Sequence, residues 1–282
     1  MGVVKGSTIT TPEDSPTKNL TPPPILTTKN NSHLAPAGNL ARYFGNWKNI
    51  TNDSFVLNII KHGYKLQLSS SKFYIKNTTT FPSNKNKSAI CQEVSELLNS
   101  SAISKIDPLP SDTVSRIFLV PKKNGKKRLI LDLSNLNNFL IKTSFKMEDK
   151  STISSLIERN DFLVSLDLKD AFHSIPLNPL YRRFTSFEVF GQRFCYNCLP
   201  FGLSSSPRIF SKVLKPVISF LRNKGIKITF YLDDILICAD TAPKVLSHLS
   251  DAISLLCDLG FSINYSKSSL IPSQTLVHLG YL

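Results

Sequence analysis

Nine residues, Phe230-Tyr231-Leu232-Asp233-Asp234-Ile235-Leu236-Ile237-Cys238, limit the possible folds more than any other stretch. Apolar, β-prone residues run up to two adjacent carboxylates, and an apolar run resumes at once. That is the pattern of two short strands with the acid pair at the tight turn between them. Asp is a common turn residue, so a polar hairpin tip is the plain alternative. Both flanks are apolar throughout, which predicts a sheet buried on both faces. Like charges beside buried strands repel unless a cation lies between them, and carboxylate oxygens suit a hard ion such as Mg²⁺.

Phosphoryl transfer with two bound ions needs a further carboxylate from elsewhere in the chain. The run Phe162-Leu163-Val164-Ser165-Leu166-Asp167-Leu168-Lys169-Asp170-Ala171-Phe172 offers one, as an apolar strand ending in Asp167. Between the two acidic sites lies Leu199-Pro200-Phe201-Gly202-Leu203-Ser204-Ser205-Ser206-Pro207. It reads as a loop entering a helix, with Ser206 as cap and Pro207 at the first position. Pro216 predicts a kink or break in that helix.

These boxes carry a family resemblance. Tyr231-Leu232-Asp233-Asp234 resembles the YxDD box of reverse transcriptases, Leu166–Phe172 resembles their first palm motif, and Leu199–Pro207 resembles the box between the two. Val114–Asn137 is similar to their fingers hairpin: Ile117–Val120 and Arg128–Leu133 read as strands around a lysine-rich turn with Asn124-Gly125 at its tip. Phe261–Ser268 resembles the fourth palm motif, and His278–Leu282 the first strand of the primer grip. The likeness covers residues 88–282, and more loosely 38–87, where Trp47–Tyr64 is similar to the segment before the polymerase in DIRS-type retrotransposons. The reading is therefore a reverse transcriptase of an LTR/DIRS-type retrotransposon.

The resemblance implies an α+β fold, the palm and fingers of a right-hand polymerase, with a central antiparallel sheet and helices on one face. It implies RNA-directed DNA polymerisation with two Mg²⁺ ions, Mn²⁺ as a substitute, held by Asp167, the Leu168 carbonyl, Asp233 and Asp234. Lys123, Arg128 and the backbone amides of Asp170 and Ala171 would hold the triphosphate. Phe172 would be the steric gate under the sugar. Phe201 and Gly202 would line the nucleotide site; many retroviral relatives carry Gln where Phe201 stands, so only a backbone contact is expected there. Lys267 would be a general acid for the leaving pyrophosphate, and Leu279 and Gly280 would belong to the primer grip. The expected partners are an RNA template, a DNA primer and deoxynucleoside triphosphates. RNase H and a tyrosine recombinase or integrase are expected elsewhere in the element. Since the likeness ends on a first primer-grip strand, truncation after the palm is expected, and a non-catalytic nucleic-acid-binding remnant is the alternative.

The rest of the chain sets bounds. Formal charge is +14, which suits a polyanion partner, though a basic surface also serves solubility. Residues 1–37, rich in Thr, Pro, Ser and Asn, read as a disordered leader, and 38–87 as a pre-polymerase segment. There, Thr51 or Asp53 caps a helix ended by Gly63. Ile90, Val94, Leu97 and Leu98 predict one helix with a core-facing stripe, and Leu246, Leu249, Ile253 and Leu256 another that ends near Gly260. Five Cys in no paired framework suggest a reducing compartment, hence an intracellular protein, cytoplasmic or nuclear and not secreted. Cys195 and Cys198 read as buried strand residues and not as half a zinc site. No apolar run approaches a membrane span, so no membrane partner is expected.

Overall fold

A computed structural model describes residues 37–69, 86–121, 125, 127–148 and 155–278. Ten strands are described. The central sheet has the order β10-β5-β9-β8, built from β5 (Phe162–Asp167), β8 (Lys227–Tyr231), β9 (Asp234–Ala239) and β10 (Ser269–Ser273), with every pair antiparallel. A second sheet runs β1-β7-β6-β2, from β1 (Ile103–Lys105), β2 (Val114–Ser115), β6 (Ser186–Val189) and β7 (Gln192–Tyr196), and its β2–β6 pair is parallel. β3 (Ile117–Pro121) and β4 (Lys127–Leu131) form a separate hairpin.

The period-2 alternation of the central strands sorts their side chains. Val164, Leu166, Ile235, Ile237, Ile228 and Phe230 enter the main core, against the helices Ser206–Asn223 and Ala242–Asp258. Leu163, Leu236 and Cys238 take the opposite face and form a small cluster with Leu156, Ile157 and Leu276. Asp167 and Asp234 fall in this second set by register, so the carboxylates lie on the sheet face away from the helices.

Several sequence expectations are met and others shift. Asp53 is the cap chosen: its Oδ1 accepts from the Phe55 and Val56 amides at the start of helix Ser54–His62, and Gly63 ends that helix at φ 81°. In helix Lys87–Asn99 Ile90 and Val94 are buried and Leu97 packs against the same core, as the spacing predicts; Leu98 is exposed, and Glu93 joins the buried face with its carboxylate accepting from the Leu129 amide. In helix Ala242–Asp258 the buried stripe is Val245, Leu249, Ala252 and Leu256. Ser206 is not the cap of its helix. It is the first helical residue, and its hydroxyl donates to the Pro200 carbonyl at 3.0 Å. The helix continues through Pro216 to Asn223. The five cysteines are free thiols, with Cys195 and Cys198 buried.

Residues 37–69 belong to the same core. Leu40, Trp47, Val56, Ile59, Ile60, Tyr64 and Leu66 are buried in one cluster with the central sheet. Side chains also tie this segment to the end of helix Ala242–Asp258. The Trp47 indole donates to the Leu259 carbonyl at 3.0 Å, and the Asn39 and Asn46 amides donate to the Gly260 and Asp258 carbonyls. These carbonyls accept at the last residue of the helix and at the two that follow it, where they have no partner within the helix. The leader read at residues 1–37 lies outside the described residues except for Ala37.

Candidate active site

The acidic turn forms as its sequence dictates. Tyr231 pairs with Asp234, so the turn between β8 and β9 is Leu232-Asp233 alone. A two-residue hairpin needs positive φ at its first turn position, and Leu232 supplies it at 54° without being glycine. That left-handed conformation costs a residue with a side chain about 1–2 kcal/mol. The Leu168 amide donates to the Asp233 carbonyl at 2.9 Å and pins the turn to the end of β5.

Asp167 stands opposite Asp234, and Tyr231 opposite Asp234 on the other side, so the three side chains form a row across one face of the sheet. Burial pushes the Asp167 pKa up from its ordinary value; the Asn264 amide and the Lys267 ammonium pull against the rise, and the charges of Asp233 and Asp234 add to it. Asn264 Nδ2 donates to Asp167 Oδ1 at 2.8 Å, and Lys267 Nζ lies 3.8 Å from Oδ2. Among the described residues, no three or more His, Cys, Asp or Glu side chains stand grouped as the ligands of an ion.

A second group of predicted residues comes together around the turn that follows β5. The Arg128 guanidinium lies over the Phe201 ring, 4.2 Å from its centroid. The Phe201 ring lies 5.2 Å from that of Phe172, which in turn packs 5.8 Å from buried Phe210. Hairpin β3–β4, the Leu199–Ser205 loop and the turn after β5 therefore meet at one place. Asp170 is left-handed at φ 48° and precedes the 3-10 turn Ala171–Ser174, so the first amides of that turn have no partner within it.

Glycine is required at position 202. Its φ is 101°, and a Cβ there would lie 2.1 Å from the Leu131 carbonyl oxygen. Asn137 holds the same loop with both ends of its amide: Nδ2 donates to the Gly202 carbonyl, and Oδ1 accepts from the Ser204 amide, each at 2.9 Å. Lys123 of the basic turn and Leu279 and Gly280 of the expected primer grip lie outside the described residues.

A profile of the family described as "Reverse transcriptase (RNA-dependent DNA polymerase)" matches residues 120–282, more than half of the chain. The chain belongs to the reverse transcriptase family. Among related reverse transcriptase sequences, the Pro-Pol polyprotein of Simian foamy virus type 3 is 27% identical over 190 residues, 67% of this chain and 16% of that polyprotein. The Pol polyprotein of the Drosophila melanogaster transposon gypsy is 29% identical over 197 residues, 67% of this chain and 18% of its own length. The chain thus spans less than a fifth of either. Among solved structures, a foamy viral protease-reverse transcriptase in complex with double-stranded DNA superposes with a TM-score of 0.67 at 18% identity, covering 88% of this chain and 46% of that one. The native prototype foamy virus enzyme gives 0.61 at 23% identity, over 72% of this chain and 27% of its own. The reverse transcriptase palm-and-fingers fold accounts for the mixed α/β architecture and its antiparallel central sheet.

Sequence reading missed three residues that shape this reverse transcriptase site: Asn264, Asn137 and Glu148. Glu148 accepts from the Phe230 amide at 3.2 Å and from Arg222 and Thr229, so it holds β8, an edge strand, one residue before the acidic turn's closing pair. Glu148 lies in none of the matched boxes; Asn137 closes the fingers-hairpin block, which pointed only to Lys123 and Arg128, and Asn264 lies in the fourth palm motif, which pointed only to Lys267.

Proposed function

We propose that this chain supplies the fingers and palm of an RNA-directed DNA polymerase of a retroelement, adding deoxynucleotides to a primer 3′-OH by two-metal nucleotidyl transfer. The observation that carries this reading is the Asp167–Asp234 pairing, with Asp233 on a turn pinned to the same strand end. This donor set fits a hard divalent ion. It is oxygen-only, and the Leu168 N–H and C=O, which share one side of an extended residue, face the Asp233 turn and not Ile263. Asp167, the Leu168 carbonyl, Asp233 and Asp234 would hold the ions once their carboxylates turn toward a common point. Bound Mg²⁺, or Mn²⁺ in its place, supplies positive charge at the reacting oxygens.

The chain's own groups do the rest by positioning. The Arg128 guanidinium, planar and permanently charged, leaves the Phe201 face to clamp the triphosphate, with Lys123 as a second cation and the Asp170 and Ala171 amides as further donors. Phe172 lies under the sugar, where its ring excludes a 2′-OH. As the 3′-hydroxyl gives up its proton to solvent, its oxygen bonds to the α-phosphorus and the bond to pyrophosphate breaks, Lys267 gives the leaving group a proton. The partners are an RNA template, a DNA primer gripped in part by Leu279 and Gly280, and deoxynucleoside triphosphates, inside the cell. RNase H and a tyrosine recombinase or integrase come from other parts of the element. The DIRS-type placement rests on the Trp47–Tyr64 segment.

Primer extension on poly(rA)/oligo(dT) with Mg²⁺ tests the reading. Incorporation of dTMP that disappears in Asp233→Asn supports it. Binding of the hybrid with no incorporation under either Mg²⁺ or Mn²⁺ would favour the non-catalytic remnant.

A further inference from the structure

Around Asp167 a closed set of hydrogen bonds runs to the Phe261–Ser268 segment. The Asn264 amide donates to the Asp167 carbonyl at 2.8 Å, the Asp167 amide donates to Ser268 Oγ at 3.0 Å, and Ser268 Oγ donates to the Asn264 carbonyl at 2.9 Å. Two backbones are thereby fixed against each other. On that frame the Asn264 side chain reaches the Asp167 carboxylate: Nδ2 donates to Oδ1 at 2.8 Å. A carboxylate only accepts, so the amide must present its nitrogen. Ser266 Oγ donates to Asn264 Oδ1 at 2.8 Å and holds the amide that way round.

We infer that Asn264 is a positioning residue for the acidic centre: it occupies Oδ1 of Asp167, fixes the carboxylate's rotation and leaves Oδ2 as the oxygen presented to a divalent cation. Lys267, with Nζ 3.8 Å from Oδ2, marks that oxygen as the one reached by positive charge. A ligand oxygen of fixed direction loses less freedom when an ion arrives, which is how groups outside an ion's own ligands set its affinity. Ser266 acts one step further out, through the amide. The inference rests on the proposed role of Asp167 as an ion ligand.

The test is Mn²⁺ binding to the 282-residue chain, followed by electron paramagnetic resonance, together with primer extension where the chain is active. Asn264→Ala is expected to weaken Mn²⁺ by about tenfold or more, the range for a group behind a metal ligand. It should lower kcat similarly, with KM for the nucleotide within twofold and the melting temperature little changed. Ser266→Ala, at an exposed position, should weaken Mn²⁺ by at least threefold. A Kd that moves less than threefold in both variants overturns the inference. If Asn264→Ala does not fold, Ser266→Ala decides: a smaller change than threefold overturns it, and a larger one supports it. Wild-type binding with unchanged variants sinks this inference alone. A wild-type chain that takes up no Mn²⁺ sinks the polymerase reading with it.

Discussion

Asp167 and Asp234 are direct partners across two adjacent antiparallel strands, like charges on one face of the sheet. Directly opposed like charges destabilise a strand pair, and burial of Asp167 adds to the cost of its ionisation. The arrangement is therefore a liability for folding, retained at the point where chemistry is proposed. In chelator, Asp167→Asn should raise the melting temperature by about 2–4 °C, the shift that about 1 kcal/mol gives in a chain of this size. The same substitution should abolish primer extension. Calorimetry in EDTA checks the first part, and an unchanged or lowered melting temperature would mean that the repulsion is already relieved within the chain.

Phe172 sits between Phe201 and Phe210, half-buried and held by rings on both sides. In an active enzyme Phe172→Ala should increase ribonucleotide incorporation relative to deoxynucleotide by tenfold or more, on the order of what a lost steric contact contributes. The competing measurement is a single-nucleotide extension with each sugar. Equal discrimination in mutant and wild type would return Phe172 to the role of a packing residue.

Two glycines should respond in opposite directions. Gly202→Ala places a Cβ against the Leu131 carbonyl at a φ that side chains avoid, and should cost about 3 kcal/mol or more. Gly45 lies exposed in helix Phe44–Ile50 with nothing within 4 Å of an added Cβ, so Gly45→Ala should gain about 0.5–1 kcal/mol. Denaturant midpoints of the two variants, measured side by side, decide the matter.

Asp53 makes stability depend on acid. Burial works to raise its pKa, but the Lys212 ammonium, with Nζ 3.0 Å from Oδ2, and the Val56 and Phe55 amides outweigh it and leave the pKa below 3.8. A carboxyl lowered in the folded state stabilises above its unfolded pKa, and the contribution is lost as pH falls through the folded one. Asp53→Ala should therefore cost about 1 kcal/mol at pH 7, the usual worth of a cap. The difference from wild type should shrink below about pH 4, the unfolded carboxyl range. Unfolding curves at pH 7 and pH 3 provide the comparison.

The parts of the site legible in the sequence were those written locally. The Asp233 turn follows from apolar runs that break for two residues, and the partner strand from an apolar run that ends in Asp167. The β3–β4 hairpin and the Asp53 cap also rest on neighbours within a few positions. What sequence did not reveal depends on distant contacts. Asn264 matters because it reaches Asp167, 97 positions away, and Asn137 because it reaches Gly202, 65 away. An Asn in a loop has no period to betray it. The inward Glu93 and the place of Ser206 escaped for a related reason: Glu93 has a buried partner in β4, and the Ser206 hydroxyl has the Pro200 carbonyl. Periodicity cannot weigh an acidic side chain that is worth burying, nor a hydroxyl with two uses.

The shared core of residues 37–69 and the palm has a consequence for inheritance. The family profile begins at residue 120, but the aromatic and aliphatic side chains from Leu40 to Leu66 fill the same interior as those of the central sheet. An exchange between elements that carried over only the recognisable portion would leave that interior short of Trp47, Ile60 and Tyr64 and would uncover the end of helix Ala242–Asp258. Such a hybrid would fail through its interior while every signature residue remained intact. The segment outside the profile match and the palm inside it therefore have to fold as one piece.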